Sequence, residues 1–253
     1  MITLREIMDN LTYGELSHVS IGGGAMGFID DKDFPKIVSC LNGALTALHK
    51  RFLLRTGEVF IQQYADIQTY YLRPEYAVSD ETLGKTKYLL DSVDEPFPKN
   101  VFKIEQFINA DGYALILNDS SISIVRTVSV NGVVIQDSPI YTPNFDTLVM
   151  TPDPEALQIV KVQYRADHPR IKVTTGFDPD LIELHIPTSI LDAISLGVAT
   201  RIYSPLTGGD GDKSAAAAFS YQYELECKRL EAENIAIDPA LTEDTRFESQ
   251  GFV

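Results

Sequence analysis

The stretch "GGDGDKS", residues 208–214, sets a glycine-rich run directly before a lysine, a serine and a long helical pattern. Those are the residue types of a phosphate-binding loop, in which backbone N–H groups close around the anion while the lysine and the hydroxyl complete the site. Such a loop needs a glycine immediately before the lysine. Asp212 stands there, and with Asp210 it places two carboxylates where the anion would sit; no buried hydrophobic strand precedes the run. Lys213 and Ser214 are therefore expected to bind no nucleotide, and the run reads as a connection between two helices. A calcium loop is excluded in the same way, because the D-x-D-x-D-G ligand series and its closing glutamate are missing. His18, His49, His168 and His185 occur singly, with no H-x-x-x-H pair, and no G-x-S-x-G elbow offers a nucleophile. Cys40 and Cys227 fit no metal spacing and are expected as reduced core thiols. Asp30-Asp31 and Asp94-Glu95 could do acid–base work, but adjacent acids in so acidic a chain read as solvated surface. No catalytic, cofactor-binding or metal-binding residue is assigned, no cofactor is expected, and the chain reads as a non-enzyme.

The elements that would carry these residues fall into an order. Thr3 and Glu6 have the spacing of a capping box, and Leu4, Ile7, Met8 and Leu11 follow as one stripe, which predicts a short first helix broken by "SIGGGAMG" at 20–27. Asp33 is the expected N-cap of a second helix in which Phe34, Ile37, Val38, Leu41, Leu45, Leu48 and Phe52 recur at steps of three and four. Near Thr56-Gly57 the period changes to about 2. From 58 to about 185 only strands and turns are expected, with "EVFIQQY", "IQTYYLR", "VFKIEQFI", "YALILND", "RTVSVNGVVIQ", "DTLVMT" and "LQIVKVQYR" as strand segments, and Asp111-Gly112 and Asn131-Gly132 as hairpin turns. Helical spacing returns after Pro187, with Ser189 and Asp192 at cap spacing and Ile190, Ile194, Val198 and Ile202 in one stripe. A last helix is predicted from about 213 to 235, with Phe219, Tyr223, Cys227 and Leu230 on its packed face and Glu224/Lys228 and Arg229/Glu233 paired on its wet face.

The expected fold class is α+β: a helical bundle built from N- and C-terminal segments, 1–56 and 186–237, with a large inserted antiparallel β-domain, 57–185, and an extended tail, 238–253. Leu41, Leu45, Leu48, Ile190, Ile194, Val198, Phe219 and Tyr223 are the expected bundle core. In the tail, Phe247, Phe252 and Val253 are large apolar side chains on a polar strand that cannot form a core of its own. They are the expected anchors onto a partner or a neighbouring subunit.

The net charge of −15 argues against gripping nucleic acid, since phosphate neutralisation needs Lys and Arg. No stretch approaches the ~20 apolar residues of a membrane span, and "MITLREIMDN" carries charges where a signal peptide needs apolar residues, so a soluble, unsecreted chain is expected. Twelve tyrosines and no tryptophan, many of them around "YADIQTYYLRPEY", suggest an alternative reading as a carbohydrate-binding or adhesion module.

Three segments carry a family resemblance: "CLNGALTALHKRF" in the second helix; "PFPKNVFKIEQFINADGYALILND" and "LQIVKVQYRADHPRI" in the β-region; and "ELHIPTSILDAISLGVATRIYSP" in the third helix. In pattern and order they resemble the head-to-tail adaptor proteins of short-tailed bacteriophages, also called tail tubular protein A or head-completion proteins. Cys40 stands where that family usually has an aromatic residue. The resemblance implies a structural virion protein of the neck, assembled in the host cytoplasm. It implies a homo-oligomeric ring, dodecameric in the family, that joins the portal protein to a nozzle resembling tail tubular protein B. Double-stranded DNA would pass through the ring without specific binding, and a strongly negative assembly suits that passage.

Overall fold

The computed structural model describes residues 2–17, 29, 31–81, 83–110, 112, 114–115, 117–118, 127–130, 133–136, 140–150, 157–204 and 213–233, the side chains of 127–136 and 213–214 excepted. In chain order the elements are β1 (Ile2–Thr3), α1 (Leu4–Tyr13), α2 (Phe34–Arg51), β2 (Thr56–Gln62), β3 (Thr69–Tyr71), β4 (Leu89–Leu90), β5 (Val101–Ile108), β6 (Ala114–Leu115), β7 (Thr127–Val130), β8 (Val133–Gln136), β9 (Tyr141–Asn144), β10 (Thr147–Val149), β11 (Ile159–Ala166), β12 (Glu183–Leu184), α3 (Leu191–Tyr203) and α4 (Lys213–Ala232). The fold class is α+β, and every strand pair among these named elements is antiparallel. The chain divides into two compact units, Met1–Leu54 with His168–Val253, and Arg55–Asp167.

In the first unit α1 begins where the spacing of Thr3 and Glu6 places it. Thr3 Oγ1 accepts the Glu6 N–H at 3.2 Å and Glu6 Oε2 accepts the Thr3 N–H at 2.8 Å, so two N-terminal donors are satisfied reciprocally. The α2 stripe from Phe34 to Phe52 is buried throughout, together with the stripes of α1 and α3. Asp33 does not cap α2 as its type suggests. A 3-10 turn over Asp31–Asp33 leads straight into the helix, Asp33 already has helical backbone angles, and Pro35 at the second helical position has no N–H to offer its carboxylate. Ser189 likewise makes no cap: a 3-10 turn over Thr188–Ile190 precedes α3, and Ile190 occupies the cap position without a side-chain bond.

Residues 168–185, expected in the β-region for want of helical period, belong to the helical unit. β12 pairs with β1, Leu184 opposite Ile2, and Leu4 N–H donates to Ile182 O at 2.9 Å. The Asn42 amide clasps the same segment, donating to Ile171 O at 2.9 Å and accepting from Ile171 N–H at 3.0 Å. Ile171, Leu184 and Ile186 then bury in the helical core.

The second unit holds a five-stranded sheet, β4-β2-β11-β5-β6, and a three-stranded sheet, β3-β10-β9, with β7 and β8 as a separate hairpin. Along β2, β11 and β5 the apolar side chains Val59, Ile61, Val160, Val162, Ile104 and Phe107 fill one core. Gly57 is required by close approach, because a Cβ there would lie 2.3 Å from Cζ of the Tyr164 ring. That ring is buried and meets Phe97 edge-on at 5.7 Å. The β11–β5 register shifts between Gln163 and Tyr164, which leaves Glu105 without a facing partner on β11. Its carboxylate takes Arg165 Nε at 2.9 Å and Lys103 Nζ at 2.8 Å. β7 and β8 face each other with Val130 opposite Val133, so their link is the two-residue Asn131-Gly132 that the sequence reads as a turn; the dipeptide itself lies outside the described residues. Gly112, in the other expected turn, has φ +86°, a conformation that favours glycine. β4 and β9 are strands the sequence reading does not contain: β4 has two residues, and β9 carries Pro143 in an edge position.

Candidate functional site

The helical unit brings together segments from the two ends of the chain. Gly197 of α3 lies between α2 and α4: a Cβ there would sit 3.3 Å from Ala44 Cβ and 3.3 Å from the Tyr223 ring. Small residues at this crossing let the three helices approach closely. Arg201 secures the α2–α3 pair, its guanidinium donating to Gly43 O at 2.9 Å and to Gly197 O at 2.8 Å. Leu41, Leu45, Leu48, Ile190, Ile194 and Val198 are buried in the common core, and Phe219 and Tyr223 pack against it half-buried. Phe219 meets Tyr203 at 5.0 Å between ring centroids.

The α4 helix is tied to α2 by a pairing that the sequence alone does not suggest. Glu224, expected to pair with Lys228, accepts instead from Arg51 at 2.8 Å, and Glu231 accepts from the same guanidinium at 2.6 Å. An inter-helix partner with two carboxylates within reach displaces an i,i+4 contact worth a few tenths of a kcal/mol, roughly 0.3–0.5. The Arg229–Glu233 pair is present at 2.7 Å. The outer face of α4 is not uniformly polar. Tyr221 and Leu225, one turn apart, are 67% and 48% exposed. These are contact candidates that sequence reasoning passed over, and the signal for them was an apolar i,i+4 pair out of phase with the core stripe.

Among the described residues, those singled out for chemistry do not converge on one site. Cys40 and Cys227 are buried free thiols, and burial pushes both upward in pKa, the wrong direction for a reactive thiolate. The His49 and His168 rings lie 5.7 Å apart, and His168 Nε2 is 3.1 Å from Asn42 O, so His168 helps seat its segment on α2. His185 is exposed, as are Asp31, Asp94 and Glu95. Among the described residues no group of three or more His, Cys, Asp or Glu could hold a metal ion. Lys213 opens α4; its side chain, Ser214's and the run 205–212 lie outside the described residues, as do His18, Asp30 and the expected anchors Phe247, Phe252 and Val253. No helix among the described residues is long and apolar enough to cross a membrane.

Four tyrosines of the second unit, Tyr70, Tyr71, Tyr76 and Tyr88, pack on one another. Tyr70 and Tyr88 are fully buried and meet edge-on at 4.9 Å; Tyr88 stacks on Tyr76 at 5.0 Å, and Tyr76 on Tyr71 at 5.5 Å. The Tyr88 hydroxyl accepts the Tyr71 N–H at 2.7 Å, and the Tyr70 hydroxyl accepts the Tyr64 N–H at 3.0 Å. Arg73 lies over the Tyr71 ring at 5.0 Å and Lys85 over the Tyr76 ring at 4.7 Å. The ring faces of these four tyrosines are largely occupied by protein.

No protein-family model matches the chain, and no curated protein sequence matches it.

Proposed function

We propose that the protein is a structural virion component, the head-to-tail adaptor of a short-tailed bacteriophage. In this reading a helical bundle carries the β-unit as an insertion, and copies of the chain form a ring, twelve by the family resemblance, between the portal protein and the tail nozzle. The observation that carries the reading is the packing of α2 on α3 at Ala44 and Gly197. These are the two helices whose sequences bear the family pattern, and they come from opposite sides of the β-unit. A ring needs head-to-tail, heterologous surfaces, and the apolar pair Tyr221 and Leu225 on the outer face of α4 supports such a contact. A charge of −15 per copy favours passage of DNA over adhesion to it. The sequence 238–253, with Phe247, Phe252 and Val253, supplies an anchor toward the portal or a neighbouring copy.

The test is co-sedimentation of purified protein with portal-bearing heads that lack it. Saturable attachment, lost for heads without portal, is the expected result. Equal recovery with and without portal overturns the reading, and specific retention on a glycan array would support the adhesion alternative instead.

A further inference from the structure

An open groove of about 530 Å³ runs along the outer side of α2, between that helix and the segment 170–173. Val38 and Ile171 give it an apolar floor, Ser39, Asn42 and Thr46 supply polar groups, and Arg170 stands at its wall. No carboxylate is among the described residues that line it. In a chain with 36 acidic and 21 basic residues, a groove with an arginine at its wall and no carboxylate in its described lining stands apart. Arg170 is exposed and has no hydrogen-bond or ion-pair partner among the described residues, and the same holds for Lys36, which precedes Ser39 by three residues on the same helix face. Arg201, beside Gly43, donates to two carbonyls and has no carboxylate partner among the described residues. Lys36 and Arg201 both act on the buried Cys40 thiol, opposing the upward push of burial on its pKa.

We propose that this groove holds residues 243–248 of the chain's own C-terminal segment while the protein is free. The segment has the complementary chemistry: Asp238, Glu243, Asp244 and Glu248 alternate with Leu241, Phe247 and Phe252, and Arg246 is its one cation. It also starts within reach. Glu231 in the last turn of α4 is bonded to Arg51 at the end of α2, and the groove begins at Thr46, about 7.5 Å back along that helix at ~1.5 Å per residue. The nine residues 234–242 ahead of the docked stretch extend at ~3.3 Å each, several times the distance needed. Because the segment is tethered, its local concentration at the groove is on the order of millimolar, so a weak contact suffices to hold it. The inference concerns the free chain and stands or falls apart from the adaptor reading.

The test is the rate at which chymotrypsin releases Glu248–Val253 from the full-length protein by cleaving after Phe247, followed by mass spectrometry at low salt. The docked segment is cut slowly. The surface charge reversals Lys36→Glu and Arg170→Glu together speed release at least tenfold, as does high salt in the wild-type chain. Adding Glu243→Lys and Asp244→Lys to the reversed groove restores slow release, which a general loss of folding would not do. Equal release rates in the wild-type and groove-reversed chains overturn the proposal. Protection that rises with protein concentration also overturns it, because it assigns the groove to a neighbour's segment.

Discussion

The two units solve the same burial problem with different materials. The helical unit buries aliphatic stripes and brings its helices together over Ala44 and Gly197, with a few polar side chains such as Asp33, His49 and Ser195 covered among them. The β-unit builds polar pairs into its core: the hydroxyls of Tyr70 and Tyr88 accept backbone N–H bonds there, and Arg165 and Glu105 pair where both are about nine-tenths covered. The first kind of core tolerates substitutions that keep volume and fails when charge enters it. The second depends on each polar partner being present, because an unsatisfied buried donor costs more than its bond contributes.

The largest expected effect follows in the helical unit. Leu45→Asp or Ile194→Asp places an unpaired carboxylate in a fully buried site and costs several kcal/mol out of a typical domain stability of ~5–15 kcal/mol. Loss of helical circular dichroism or insoluble expression is the expected outcome; a soluble variant with wild-type melting would show that these stripes are not the core.

The glycines sharpen the contrast. Gly57→Ala must displace the buried Tyr164 ring and should cost roughly 1–3 kcal/mol of unfolding free energy. Gly197→Ala meets its neighbours at 3.3 Å, and the gain in helix propensity, up to ~1 kcal/mol, offsets much of the crowding. Gly57→Ala should therefore be the more damaging of the two in urea unfolding, and the reverse order would contradict the packing described for both units.

Tyr88→Phe tests the polar core. It leaves the Tyr71 N–H without its acceptor, at a cost of about 1–3 kcal/mol. Burial also raises the Tyr70, Tyr88 and Tyr164 pKa values above that of an unfolded tyrosine, near 10. With folded values raised, their contribution is fully present below about pH 10 and is lost as pH climbs toward the folded values, since the unfolded chain ionises first. Tyrosinate absorbance should appear together with unfolding, and less steeply in Tyr88→Phe. Smooth ionisation of these rings in a chain that stays folded would be the opposite result.

The smallest effect is expected at Arg51. Its carboxylate partners on α4 are half-exposed, so Arg51→Ala should lower stability by no more than ~1 kcal/mol, and by less in high salt. A loss of several kcal/mol that salt does not reduce would mean the pair is a structural latch.

What the sequence revealed follows the same division. The α2 stripe, the Thr3/Glu6 box and the β5 segment were readable because each is a local, periodic or short-range pattern. The choice of Glu224 by Arg51, the idle carboxylate of Asp33 and the return of residues 168–185 to the helical unit were not, because each is decided by a partner distant in sequence or by a preceding turn. Two-residue strands such as β1 and β12 have no period to detect and exist only through their pairing. Of the candidate site, the core residues from Leu41 to Val198 were accessible to periodicity, whereas the exposure of Tyr221 and Leu225 depends on which face of α4 its neighbours cover.

The adaptor reading is tested most directly by native mass spectrometry of the complex released from portal-bearing heads after incubation with the purified chain. The account predicts a closed assembly with twelve copies of this protein on each portal ring. A stoichiometry of one or two copies, or a portal ring released without the protein, would contradict it.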